Sequence, residues 1–331
     1  MDILQLHHPK DTEKSSVRAF GGLDLNKMFD ELCRIYMDKT KTSYKNLAKE
    51  IFKVNPNSIQ NWRGANPKYK NGHPVPLWAI SKILQINALK GKEEHINFVK
   101  NIKYLQCGRV SEVTNAQIYL TTELAKLCGA HAADGSLSML KERGPLSAKW
   151  DLGDQEKANI EEAIRWLETS FGFKPVIIQK GKMSYIWSNR QVISRYLTQI
   201  FDFPIGNKTE TVSMPKILSG NDNRILERGD EEILSNLQLE FAKEVINFDG
   251  HSTLSGVVQT GFGSKSKKLL EDVKNVFQRE GINFHIYQDK ILTTSFNESR
   301  KVYEAGLFRG KKREKFEKLI LQNARKAEKY P

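Results

Sequence analysis

The stretch TTELAKLCGAHAADGSL, residues 121–137, decides how the rest of the chain is read. Ala125, Gly129 and Ala133 recur at i, i+4 and i+8 on one face of a helix, and Cys128 and Ala132 widen that face with small side chains. Such a stripe lets a second helix approach closely. Asp134 and Gly135 follow where the helix should stop, with Gly135 expected in the left-handed conformation of a C-terminal cap. A carboxylate there is electrostatically misplaced, because the helix macrodipole already puts negative charge at its C-terminus. A cation is therefore expected beside it. The plainer alternative is a buried helix followed by a solvated Asp-Gly turn.

A second copy weighs against that alternative. Residues 240–254, EFAKEVINFDGHSTL, again place a helix directly before Asp-Gly, at Asp249 and Gly250. After Asp134 the pattern predicts a strand at 148–152, a helix at 156–171, strands at 174–179 and 184–187, and a helix at 191–201. After Asp249 it predicts a strand at 256–261, a helix at 266–280, strands at 282–287 and 290–296, and a helix at 299–308. The chain carries an internal duplication of an αββ-type unit.

On these residues the chain resembles a known family. LCGAHAADG, residues 127–135, resembles the LAGLIDADG motif of homing endonucleases, and AKEVINFDG, residues 242–250, resembles a degenerate second copy. The similarity runs from near Ala116 to the C-terminal helices. It implies an α+β fold, a pseudo-two-fold pair of αββαββα halves whose motif helices pack at the axis. Each half would present a curved sheet to one side of a double-stranded DNA site. It further implies Mg²⁺ or Mn²⁺ at the motif acids Asp134 and Asp249, and site-specific DNA hydrolysis by a single chain acting as a monomer.

The chemistry expected of such a pair can be argued directly. Two acids at adjoining helix ends repel one another unless divalent cations lie between them, and carboxylate and backbone oxygens suit Mg²⁺. Such ions activate an attacking water and stabilise a leaving 3′ oxygen. Basic groups near the scissile phosphate would stabilise added charge, and the positional candidates are Lys180 and Lys182 in the first half and Lys290 in the second. The alternative for these three is hairpin lysines on a DNA-facing sheet. His131, inside the first motif helix, is expected to be packed, and His251, past Gly250, to be exposed.

The second motif departs from the family pattern. Glu244 stands where the glycine is usual, Phe248 replaces a small residue, and Ala132 and Asn247 stand where the family has its first acid. Glu244 and Phe248 share a face. Either the Ala125, Gly129, Ala133 stripe receives Phe248 as a groove receives a knob, or the helix rotates and the two acids no longer converge. The pair is expected to hold the second helix farther from the axis. Two alternative functions stay open: a cleavage-dead DNA-binding regulator that kept the fold, and an RNA maturase that binds structured intron RNA.

Composition sets outer limits. The chain has 331 residues, 39% of them hydrophobic, with a formal net charge of +13, which suggests a polyanionic partner. No long apolar span or basic amphipathic helix with an aromatic face favours a membrane, and residues 1–20 lack a secretion signal, so a cytoplasmic location is expected. Cys33, Cys107 and Cys128 form no ligand spacing.

Ahead of the duplication the sequence reads as residues 1–20, a flexible tail, then 21–106, an all-helical helix-turn-helix domain. In TSYKNLAKEIF, residues 42–52, Leu47, Ile51 and Phe52 share a face, and VNPN breaks the helix. SIQNWR then buries Ile59 and Trp62 and should leave Ser58, Gln60, Asn61 and Arg63 facing out, side chains suited to base edges and phosphates. The succession resembles the helix-turn-helix of phage-repressor-like regulators. From Lys41 to Arg109 there are thirteen Lys or Arg against three Glu, a surplus that should act mainly on phosphates. Residues 107–115 read as a linker, 116–213 as the first half, 214–231 as the segment joining the halves, and 232–331 as the second half.

Overall fold

Three four-stranded antiparallel sheets, each with its own set of helices, divide the described part of the chain. The computed structural model describes residues 1–331 except 9–10, 12–15, 67, 69–71, 108–112, 141–147, 220–221, 228–229, 256 and 330–331, with backbone only at 255 and 325–329.

The N-terminal region contains β1 (Val17–Phe20), α1 (Gly22–Thr40), α2 (Tyr44–Asn46) widening into a π-type turn (Leu47–Phe52), and α3 (Pro56–Trp62). It continues with β2 (Val75–Pro76), α4 (Leu77–Ile86), α5 (Glu93–Lys100), β3 (Tyr104–Cys107) and β4 (Thr114–Asn115). Asn55 caps α3 by accepting a hydrogen bond from the Asn57 N–H at 3.0 Å, and Pro56 pre-sets the first turn. Its buried face, Ile59 and Trp62, joins Phe29, Phe52 and Trp78 in an aromatic cluster, with Trp62 edge-on to Trp78 at 5.7 Å.

Two expectations for this region are corrected. The region is not all helical, since β2-β1-β3-β4 form a sheet in which Val17 opposes Cys107 and Tyr104 opposes Asn115. Its strands are short and β1 pairs across more than eighty residues, so no local pattern announces them. Residues 1–20 are not a tail either. Ile3, Leu4, Leu6, Val17 and Ala19 are buried, the Asp2 N–H donates to Arg224 O at 2.6 Å, and Asp11 pairs with the buried Arg195. The proposed linker 107–115 lies partly outside the described residues, and its end forms β4. The proposed joining segment 214–231 is likewise only partly described, with a 3₁₀ turn at Lys216–Ser219.

The duplicated part follows one order twice. The first half runs α6 (Thr122–Asp134), β5 (Gly135–Met139), β6 (Ala148–Asp154), α7 (Lys157–Phe171), β7 (Ile178–Lys180), β8 (Met183–Ser188) and α8 (Gln191–Arg195), which continues as a π-type turn to Ile200. The second runs α9 (Glu231–Asp249), β9 (His251–Ser255), β10 (Val257–Gly263), α10 (Lys267–Arg279), β11 (His285–Tyr287), β12 (Lys290–Leu292) and α11 (Phe296–Glu304), followed by a further helix, α12 (Gly310–Lys329). Sheet orders are β5-β6-β8-β7 and β9-β10-β12-β11. Along β6, Ala148, Trp150 and Leu152 are buried while Lys149 and Asp151 alternate toward the open face, the period of a half-buried strand. In α10, Leu269, Leu270, Val273, Val276 and Phe277 bury one face of an amphipathic helix.

β5 and β9 begin directly after Asp134 and Asp249, strands the sequence pattern did not announce. Gly135 is accordingly not left-handed but extended, at φ −75° and ψ 156°, and Gly250 matches it at φ −74° and ψ 157°. Glycine is needed for space: a Cβ at 135 would sit 2.6 Å from His131 Cα, and one at 250 would sit 2.2 Å from Ile246 O.

Candidate functional site

α6 and α9 lie side by side and point the same way. Lys126 Nζ, early in α6, meets Glu240 Oε2, midway along α9, at 3.2 Å. Farther along, a Cβ on Gly129 would lie 2.3 Å from Phe241 O and 2.9 Å from Glu244 Cβ, so the helices touch backbone to backbone there. The expectation that Glu244 and Phe248 hold the second helix off is thus corrected. Gly129 yields the space that Glu244 needs, and the Glu244 carboxylate turns aside to Arg309.

Parallel packing brings both helix ends together, with the Asp134 and Asp249 carboxyl groups within hydrogen-bonding reach of one another. Asp134 is open to solvent and Asp249 is half-buried. Protein crowding on one side of Asp134, then the charges of Asp249 and Asp154, raise its carboxyl above the usual carboxylate range. Burial raises Asp249 as well, with Lys208 and Lys312 acting against the shift.

Those two lysines are the cations beside the helix ends. Lys208 Nζ donates to the carbonyls of His131, Ala132 and Ala133, the last two at 2.8 and 2.9 Å. Lys312 Nζ donates to Asn247 O at 3.2 Å and to Phe248 O, and lies 3.9 Å from Asp154 Oδ2. Each ammonium satisfies orphan carbonyls and opposes the negative end of a macrodipole. Lys208 is held in place by its loop: Phe203 packs edge-on against His131 at 4.5 Å, and the Gly206 N–H donates to Leu137 O at 2.8 Å. Burial pushes the Lys208 ammonium down to about 8, although Asp249 and Asp134 pull it up.

A cavity of about 470 Å³ opens beside the carboxyls, lined among others by Ala133, Lys208, Asp249, His251, Lys265 and Lys290. Of the three sequence candidates, Lys290 is therefore in this cleft. Lys180 and Lys182 are not. Lys180 ends β7, the outer strand, with β8 and β6 between it and the β5 strand that leaves Asp134, an offset of three strand spacings or about 14 Å. Lys182 is exposed at the tip of that hairpin. His131 is buried and its Nδ1 accepts from Trp150 Nε1 at 3.1 Å, whereas His251 is exposed, its imidazole pushed down by burial and by Lys290, Lys315 and Lys312. Lys208 and Lys312 were not singled out from the sequence, although each lies eight residues past the last helix of its half and two past a glycine, Gly206 or Gly310. The available signals were this repeated Gly-Xaa-Lys step and the demand for a cation at each helix end.

In the N-terminal region, Gln60 is exposed and Ser58 and Asn61 are half-buried, with Asn61 Oδ1 accepting from Asn66 Nδ2 at 2.7 Å. Arg63 does not face out. Its Nε bonds Asp30 Oδ1 and its guanidinium lies 3.4 Å from the Tyr44 ring centroid, tying α3 to α1 and α2.

No family model matches the chain, and no curated protein matches it. Among solved structures, one of the homing endonuclease I-DmoI, from work on its mesophilic variants, is similar at a TM-score of 0.35 and 15% identity, covering 56% of this chain and 89% of that one. Among the described residues, no helix is long and apolar enough to cross a membrane.

Proposed function

We propose that the protein is a site-specific, divalent-metal-dependent endonuclease for double-stranded DNA, built as a pseudo-two-fold pair of halves within one chain. The observation that carries this reading is the meeting of Asp134 and Asp249 at the ends of two parallel helices, with a lysine on each end. A carboxyl pair whose acidity is weakened by burial and mutual repulsion is one that a divalent cation would stabilise. Among the described residues no cluster of three or more His, Cys, Asp or Glu could hold a metal. Asp134 and Asp249 would supply acidic ligands, which suits Mg²⁺ or Mn²⁺ in a site completed by water and phosphate oxygens. When bound, the ion would lower the pKa of an attacking water and stabilise the leaving oxygen.

The chain's own groups have separate tasks. Lys208 spends its three N–H donors on three carbonyls, so it acts as a fixed positive charge rather than as a base. Lys312 is its counterpart at the second helix end. Lys265 and Lys290 line the same cleft beside His251, and there added phosphate charge would be met by the two ammonium groups. Each flanking sheet has an open face for a duplex: Ser136, Ser138, Lys149 and Trp187 on the first, His251, Thr253, Gln259 and Tyr287 on the second. Gln60 with the exposed Lys45, Lys49 and Lys53 would add contacts from the N-terminal region.

Incubation with a randomised duplex library in Mg²⁺ or Mn²⁺ tests the reading. Recovery of one cut sequence family is expected. Selective binding without cutting in either metal would overturn the nuclease reading in favour of a regulator that kept the fold.

A further inference from the structure

Glu244 and Asn247, two of the positions at which the second motif leaves the family pattern, both face one turn, residues 308–312. The Phe308 N–H donates to Asn247 Oδ1 at 2.7 Å. Arg309 forks onto Glu244, with Nη1 to Oε2 at 2.7 Å, and reaches Asn159 Oδ1 at 3.1 Å. Gly310, at φ +51°, comes so near the first half that a Cβ would lie 2.3 Å from Glu156 Oε1. Glu156 Oε2 then accepts from the N–H groups of Lys311 and Lys312 at 2.8 and 3.3 Å, satisfying orphan donors of the first turn of α12. Glu244, Asn247 and Asn159 are all buried, which leaves them little freedom to do anything else.

Resting on the nuclease reading above, we infer that Glu244, Asn247 and Glu156 are positioning residues for Lys312, and that the altered second motif is the dock for the turn that delivers this lysine. In the first half a loop brings Lys208 to the helix end. In the second half the lysine at the matching place, eight residues past the last helix of each half and two past a glycine, is drawn into the first turn of α12. A cation must be held there against the pull of water, and three anchors within residues 308–312 do this better than one ion pair. Glu156 belongs to the first half, so the lysine that serves the second helix end is held by both halves.

The test measures each strand separately, in single turnover, on a duplex labelled at both ends. Lys312→Met should slow one strand by about tenfold to a hundredfold, with the other strand and the duplex affinity changed by less than about threefold. Glu156→Ala and Glu244→Gln should slow the same strand, and Glu156→Ala combined with Lys312→Met should be no slower than Lys312→Met alone, because both act through one ammonium. Lys312→Arg should recover part of the rate. Equal slowing of both strands, or additive losses in the double variant, would overturn the inference. A second readout needs neither metal nor cleavage: amide exchange in the last turn of α9 should speed up in Lys312→Met and in Glu156→Ala, while the last turn of α6 stays protected. Should the wild-type protein cut neither strand, the nuclease reading falls and exchange alone decides. An α9 end unaffected by Glu156→Ala would then overturn the positioning role.

Discussion

The ends of α6 and α9 face the same electrostatic problem and meet it with corresponding lysines set in different local structure. At the first, Lys208 comes from a loop seventy-odd residues downstream and covers three carbonyls; at the second, Lys312 comes from α12 and covers two. At the first helix the packing residue is Gly129; at the second it is Glu244, with its charge held by Arg309. The lesson is that a motif copy can lose its small residue if its partner keeps one. Contact between two helices needs room on one side of each touching point, and Gly129 supplies it for both.

The largest expected effect tests whether the two ends are equivalent. Asp134→Asn and Asp249→Asn should each reduce duplex cleavage by more than about a thousandfold while leaving binding nearly unchanged, since on the proposed reading each removes a metal ligand without altering the sheets. Substantial nicking by either variant would show that one end works alone. Asp134→Asn has a second signature in the metal-free protein. A raised folded-state pKa means that the folded chain holds more protons than the unfolded one through the upper carboxylate range, so wild-type stability declines as pH rises through that window. The variant should show a shallower decline, since Asp249 keeps the share that burial gives it, and thermal melts across pH 4 to 8 would read the difference.

Next in size is the loss of one cation. Lys208→Met should cost about a hundredfold in cleavage. Because burial holds the Lys208 ammonium at about 8, wild-type activity should fall as pH rises past that value. Lys208→Arg should extend the plateau, as a guanidinium does not deprotonate there. An unchanged alkaline limb in the arginine variant would assign that limb to another group.

Gly129→Ala probes the shared contact and should destabilise the fold by about 1–3 kcal/mol, because the new Cβ meets the Phe241 carbonyl rather than a flexible side chain. A melting temperature equal to wild type would show that the helices can slide apart freely. The smallest effect lies outside both halves. Lys45→Ala with Lys49→Ala should flatten the slope of log K against log salt by about two, one for each lost phosphate contact. An identical slope would place the N-terminal region off the duplex.

Much of the architecture was written in local pattern. The stripe Ala125, Gly129, Ala133 announced a helix made for close packing, the repeated Asp-Gly announced the duplication, and the amphipathic spacing of Leu269, Leu270, Val273, Val276 and Phe277 announced α10. The misplaced carboxylates even announced that cations must lie beside the helix ends, because that demand follows from the dipole of a single helix. Which cations these would be was decided elsewhere. Lys180 and Lys182 sit on the outer edge of the sheet, whereas Lys208 and Lys312, which share a Gly-Xaa-Lys step in the sequence, are brought onto the helix ends only by the packing of the elements. The same holds for Val17 against Cys107, for Arg63 turned inward on Asp30, and for Gly135, whose need for glycine comes from the His131 side of its own helix rather than from a left-handed turn. Periodicity along a chain records which face of an element is buried, but a residue's partner across tens of residues is set by how the elements stack, and only the tertiary structure contains that.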